Sequence, residues 1–125
     1  MRLLLDTHVY LWAVTDDSRL GKAARKLILD AEDVFVSSAS IWEASIKAGL
    51  GKLDADVDML VAEIEASGFT ELPVRAAHAA LVRTLPDIHR DPFDRLLVAQ
   101  ALSEPLRLLT ADGQLSKYTD LVVAI

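Results

Sequence analysis

Leu3-Leu4-Leu5 is apolar at three consecutive positions, and the chain then places Asp6. Neighbouring residues of a strand point to opposite faces, so a strand apolar at every position is buried on both. That is the signature of a parallel sheet covered by helices on either side. Four more short apolar runs follow. Val34-Phe35-Val36 ends at Ser37-Ser38, Phe69 to Leu72 is stopped by Pro73, Leu106 to Leu109 ends at Thr110, and Leu121-Val122-Val123 lies near the C-terminus. Between the runs the apolar residues change to helical spacing. Leu20, Ala23, Ala24, Leu27 and Ile28 form one stripe, and Val57, Leu60, Val61 and Ile64 a second. Ala77, Ala80, Leu81 and Leu85 make a third, and Phe93, Leu96, Leu97 and Leu102 lie in a fourth. Strands alternating with helices predict an α/β fold with a central parallel sheet of about five strands flanked by helices.

The chain has 125 residues, the usual size of one domain, so residues 1–125 are read as a single unit with ordinary turns as its linkers. At 52% hydrophobic it can fill a core unaided and is not disordered. The absence of cysteine excludes disulfide scaffolds, thiolate metal sites and cysteine nucleophiles. Met1-Arg2-Leu3-Leu4-Leu5 begins like a secretory signal, but Asp6 cuts the apolar run short. An uninterrupted stretch such as Val9 to Val14 is far below the roughly 20 residues that span a bilayer. The expectation is a soluble, cytoplasmic protein with no membrane partner. Net charge is −6, which argues against non-specific nucleic-acid binding yet suits a carboxylate cluster that holds cations.

Ligands of open parallel α/β sheets sit at the carboxyl ends of the strands, and four acids fall there. Asp6 ends the first strand and Asp112 follows the fourth, in Leu109-Thr110-Ala111-Asp112. Glu43 lies in the first turns of the helix after the second strand, and Asp94 opens another helix, in Asp91-Pro92-Phe93-Asp94-Arg95. Each has a plain structural reading. Asp6, Asp91 and Asp112 suit helix N-caps, and Glu43 can pair with Lys47 one turn on. Yet an ionised Asp6 at the edge of a buried strand needs a partner. Four acids on one rim repel each other unless a cation neutralises them, and an all-oxygen set favours Mg²⁺ or Mn²⁺.

Four segments, taken in order, resemble the signature blocks of the PIN-domain ribonucleases. They are Leu4-Leu5-Asp6-Thr7-His8, Ser38-Ala39-Ser40-Ile41-Trp42-Glu43, Asp91 to Ala101, and Leu109-Thr110-Ala111-Asp112. Within that family they are most similar to VapC-type toxins of prokaryotic toxin–antitoxin pairs. The resemblance implies a PIN-like three-layer sandwich and a Mg²⁺- or Mn²⁺-dependent endoribonuclease that cleaves RNA. It also implies a homodimer and a small antitoxin partner laid in a groove beside the acids. Carried over by position, the acidic quartet is Asp6, Glu43, Asp94 and Asp112, with Thr7, Ser38 and Thr110 as accessory hydroxyls. Asp91 and Asp94 compete for the third place; Asp94 is preferred because Asp91 reads as the cap.

Phosphodiester hydrolysis needs an activated water and neutralised phosphate charge, which a carboxylate-held cation supplies. Asp6 and Asp94 are read as principal ligands, with Glu43 and Asp112 acting through water, a second ion or the nucleophile. His8, His78 and His89 lack zinc-hydrolase spacing, and His8 reads as a helix-start residue. Trp12 and Trp42 fall in helical stretches and read as core or interface residues rather than base-stacking platforms. Lys47, Lys52, Arg90 and Arg95 are candidates for a basic rim. The high apolar fraction, with Leu11, Trp12 and the Leu20–Ile28 stripe, leaves surface for a self-interface. Two alternatives are carried forward. One is a phosphotransfer or phosphatase domain with Asp6 as covalent acceptor, and the other a non-catalytic α/β binding module whose acids are only caps.

Overall fold

Leu3, Leu4 and Leu5 are fully buried in β1 (Arg2–Leu5), the middle strand of the sheet, and they divide between its two faces. The computed structural model describes residues 1–125. Leu3 and Leu5 join an apolar cluster with Val9, Tyr10, Ala24, Val34, Val36, Leu60 and Ile64. Leu4 points the other way, to Leu97, Val98, Ala101, Leu108 and Leu115. The two clusters are the two helix–sheet interfaces of a three-layer α/β sandwich.

The other strands are β2 (Asp33–Ser37), β3 (Thr70–Leu72), β4 (Arg107–Thr110) and β5 (Val122–Ala124). Their order is β3-β2-β1-β4-β5, with every neighbouring pair parallel. Each observed strand lies within a residue or so of its apolar run. The helices are α1 (Thr7–Val14), α2 (Lys22–Asp30), α3 (Ser38–Gly49), α4 (Val57–Ala66), α5 (Ala76–Leu81) and α6 (Pro92–Ser103). Short 3₁₀ turns cover Val82–Thr84 and Gly113–Lys117.

Two apolar stripes outrun their helices. Leu20 is buried but precedes α2, in a turn closed by its N–H donating to the Asp17 carbonyl at 3.1 Å. Leu85 follows α5, because Pro86 pushes the residue before it to extended backbone (ψ 141°) and ends the helical run.

Tyr10 joins helices distant in sequence. Its hydroxyl donates to the Leu60 carbonyl at 2.6 Å, and burial pushes the phenol up to about 12, so it stays a donor across the working pH range. Tyr10→Phe keeps the packing and leaves that carbonyl oxygen short of a partner. The expected loss is about 1 kcal/mol, read as a lower urea midpoint at unchanged slope.

Candidate active site

The sheet order reverses at β1. From β1 the chain passes outward to β2 and β3, then returns to place β4 on the other side. Such a switch point opens a crevice beyond the carboxyl ends of the two central strands, and Asp6 and Asp112 stand there. The Asp6 N–H donates to the Leu109 carbonyl at 3.0 Å, continuing the β1–β4 ladder by one residue. Asp6 caps α1, with Oδ1 accepting the Val9 N–H at 2.8 Å, while Oδ2 accepts the Thr110 hydroxyl. Thr110 Oγ1 in turn accepts the Asp112 N–H at 3.0 Å, so the ends of β1 and β4 are tied through one hydroxyl.

Helix α3 approaches from the other side. Ser37 caps it, accepting the Ala39 N–H at 3.0 Å, and Thr7 donates to the Ser40 hydroxyl at 2.9 Å. Ser40 and Glu43 are three residues apart and share that face. Both are buried, and Glu43 Oε2 accepts from the Lys47 ammonium at 2.6 Å.

Helix α6 supplies the third wall. Asp91 Oδ1 caps it by accepting the Phe93 N–H at 2.8 Å and the Asp94 N–H at 3.2 Å, with Pro92 as the first helical residue. Asp94 therefore projects from the first turn. His89 lies just before the cap. Its Nδ1 accepts the Asp91 N–H at 3.1 Å, so the proton of the neutral ring sits on Nε2. That nitrogen donates to Asp112 Oδ2 at 2.9 Å and lies 3.7 Å from Asp94 Oδ2. Asp112 Oδ1 accepts the Gln114 N–H at 3.0 Å. Asp6 and Asp112 each cap a helical turn with one oxygen, and the other oxygen accepts from Thr110 and His89 respectively.

The neighbouring carboxylates are close enough to act on Asp94. Burial pushes Asp94 up to about 7 from 3.8, and the charges of Asp91, Asp6 and Glu43 add to it against a smaller opposing pull from His89. Burial also raises Asp6, partly offset by the hydrogen bonds from Thr110 and Val9. The hydrogen bond it donates to Glu43 raises the Lys47 ammonium, with Asp91 and Asp94 contributing at longer range. Asp6, Asp94 and Asp112 open together onto a hollow of about 530 Å³ that also meets His8, Trp12 and Arg19. Ligand atoms of His89, Asp94 and Asp112 all lie within 4.8 Å of one another. Crowded oxygens with one carboxyl held near neutral pKa fit a hard divalent cation, whose charge offsets both the burial and the neighbouring acids that raise Asp94. His89 suits this set as a hydrogen-bond donor, because ligation through Nε2 requires the proton to move to the nitrogen already accepting from Asp91.

Not every residue singled out in the sequence faces this hollow. The Ser38 hydroxyl accepts the Val74 N–H at 3.1 Å, so the hydroxyl that meets Thr7 is that of Ser40. Arg95 is committed elsewhere, donating to the Val82 and Pro86 carbonyls and to the Tyr118 hydroxyl, each within 3.2 Å. His78 is buried between α5 and α6, paired through Nε2 with Glu104 at 2.8 Å. Trp42 is 60% exposed and packs edge-on to Phe93 at 5.1 Å. Motif reading passes over His89, Ser40 and Arg19. The position of His89 two residues before the Asp91 cap is the one local signal that points to it.

Comparison with known proteins bears on the family and the fold. Residues 3–121 match the family model described as PIN domain. Ribonuclease VapC22 of Mycobacterium tuberculosis is 31% identical over 122 residues, covering 93% of this chain and 91% of that protein. Among solved structures, VapBC2 from Rickettsia felis bound to a promoter DNA fragment superposes with a TM-score of 0.71 at 15% identity. That match covers 100% of this chain and 99% of the other. A toxin–antitoxin complex from Klebsiella pneumoniae superposes with a TM-score of 0.66 at 17% identity, covering 98% and 96%. The parallel sheet, the acids at its switch point and a family match across nearly the whole length lead to one conclusion: the chain belongs to the PIN domain family.

Proposed function

We propose that this protein is a Mg²⁺- or Mn²⁺-dependent endoribonuclease and the toxin of a toxin–antitoxin pair, acting as one unit over residues 1–125. The observation that carries the reading is the convergence of Asp6, Asp94 and Asp112 on one hollow, with Asp94 raised to about 7 by burial and its acidic neighbours. The 31%-identical relative is named a ribonuclease, which supplies the substrate class.

In this reading Asp6, Asp94 and Asp112 hold the cation, and Glu43 adds charge from α3 or works through water. When bound, the cation supplies contact to a phosphate oxygen and acidifies a water. The residues supply orientation. Thr110 and the Val9 N–H fix the Asp6 carboxylate, and His89 and the Gln114 N–H fix Asp112. Asp91 serves as the cap that aims Asp94, and the Thr7–Ser40 pair holds α3 against the end of β1. The phosphotransfer alternative fits less well, since Thr7-His8 offers no second acid two residues on and no acidic pair precedes Asp6. A module whose acids are only caps does not account for Asp94, which projects beyond the Asp91 cap.

The antitoxin and homodimer follow from the toxin reading. An apolar hollow of about 690 Å³ between α2 and β5, lined by Trp12, Ala23, Leu27, Val123 and Ile125, adjoins the acids at Ala111 and suits an antitoxin segment. A basic side chain on that segment would meet the carboxylates next door. The exposed Trp42–Phe93 face suits a two-fold self-contact. No helix is long and apolar enough to cross a membrane, and we place the activity in the cytoplasm.

The test is cleavage of a mixed single-stranded RNA pool with Mg²⁺, Mn²⁺ or EDTA. Cutting in both metal arms, none in EDTA, and suppression by the co-purified antitoxin are expected. Equal cutting in EDTA would defeat the metal-nuclease reading.

A further inference from the structure

With a net charge of −6 the overall field of the chain repels RNA, so local contacts have to carry its affinity. Of the basic residues near the acids, Lys47 is committed to Glu43 and Arg95 to carbonyls and Tyr118, while Arg90 is exposed. Arg19 stands apart from these. It lines the acidic hollow together with His8 and Trp12, and its side chain is 69% exposed. Its guanidinium lies over the Trp12 ring, 5.3 Å from the centroid, and the His8 ring sits 6.1 Å from that of Trp12 on the neighbouring turn.

The orientation of Arg19 is fixed. Asp17 grips one edge of the guanidinium with both oxygens, from Nε at 3.1 Å and from the terminal nitrogen at 2.7 Å. The loop carrying it is tied in turn. Arg25 donates to the Asp17 carbonyl at 2.7 Å and pairs with Asp16 at 3.1 Å, and Asp16 adopts the left-handed conformation, with φ of 53°. A guanidinium whose charge is matched and whose edge is occupied is a poor phosphate clamp. Placed over an indole and exposed to solvent, it still offers a face to a flat ring.

We propose that Arg19, layered on Trp12 and pinned by Asp17, is a stacking shelf for an unpaired nucleobase of the RNA beside the acidic cluster. The proposal rests on the ribonuclease reading and adds a substrate subsite to it. Single-stranded RNA is the form it accepts, because only an unpaired base offers a free face.

The experiment compares wild type, Arg19→Lys and Arg19→Ser on a single-stranded RNA at 50 and 200 mM salt, with melting temperatures as the fold control. Lysine keeps the charge and loses the plane. The shelf predicts that both variants raise KM equally, by about tenfold, with kcat within twofold. That is the lower part of the range for one base stack. It further predicts that the ratio to wild type stays constant with salt. Arg19→Lys close to wild type, with an Arg19→Ser defect that shrinks as salt rises, would make Arg19 a phosphate contact and overturn the shelf. Unchanged KM in both variants, or a defect confined to antitoxin inhibition, also overturns it while RNA cleavage itself continues. Absence of cleavage by wild type would remove the underlying reading and the shelf with it.

Discussion

Asp94→Asn and Asp6→Asn should each lower RNA cleavage by about a thousandfold, with secondary structure by circular dichroism unchanged. Asparagine preserves shape and removes the negative charge that holds a cation, so the loss falls on the chemical step. A thousandfold corresponds to about 4 kcal/mol of transition-state stabilisation, within what a bound metal contributes. Asp94 is the more decisive of the two. It takes no part in capping α6, which Asp91 already does, so the helix start survives the change. Asp6→Asn keeps an oxygen for the Val9 N–H but can turn an amide donor toward the Thr110 hydroxyl, so some local rearrangement accompanies it. Glu43→Gln should cost less, because Glu43 already spends an oxygen on Lys47 and does not line the hollow. Near-wild-type cleavage by both aspartate variants would mean that the acids do not hold the catalytic cation.

The sheet was readable in the sequence because its central strands are buried on both faces. Leu3-Leu4-Leu5 and Leu108-Leu109 cannot satisfy that burial at a surface, and polar residues mark where the strands stop. The place of Asp6 was readable for the same reason, since a carboxyl directly after a buried run has to lie at the sheet edge. What lies off that edge was not. His89 reaches Asp112 only because the loop after Pro86 folds back, held by the Tyr118 hydroxyl on the His89 N–H at 2.8 Å and by Arg95. That contact spans residues far apart in the chain, and no local period encodes it. Ser38 and Ser40 are equivalent in composition. Which of them meets Thr7 depends on how α3 is rotated against β1, a matter of packing between elements. Arg19 depends on the left-handed turn at Asp16 and on two ionic ties in the α1–α2 loop. Trp12 shows the limit of reading by type: it packs against the core cluster along part of its surface and also lines the acidic hollow.

Burial of the Asp94 carboxyl, with repulsion from its acidic neighbours added, should make the metal-free protein less stable as pH rises, and both neutralisation and metal should relieve it. The Asp94 carboxyl has an ordinary value of 3.8 and stands at about 7 in the folded protein. Below pH about 4 it is protonated whether folded or unfolded, and it costs nothing. Between about 4 and 7 the unfolded chain releases its proton while the folded protein keeps it, so stability falls through that window and the penalty is complete above about 7. The gap of about three units corresponds to about 4 kcal/mol at most. The side chain is 24% exposed, so solvent screens part of this and 2 to about 4 kcal/mol is expected. At pH 8 in EDTA, Asp94→Asn should therefore melt on the order of 10 °C above wild type, while at pH 4 the two should coincide. Wild type at pH 8 should regain a similar increment from Mg²⁺ or Mn²⁺, about 2.7 kcal/mol at a hundredfold excess over the dissociation constant. The gain should be smaller at pH 5, where Asp94 must first lose its proton. In Asp94→Asn most of the metal increment should disappear. Differential scanning calorimetry of both proteins at the three pH values, with and without metal, measures all of these shifts. A metal increment of equal size in both proteins at pH 8 would place the cation away from Asp94, and coincident melting of the two in EDTA at pH 8 would show that the acids do not crowd.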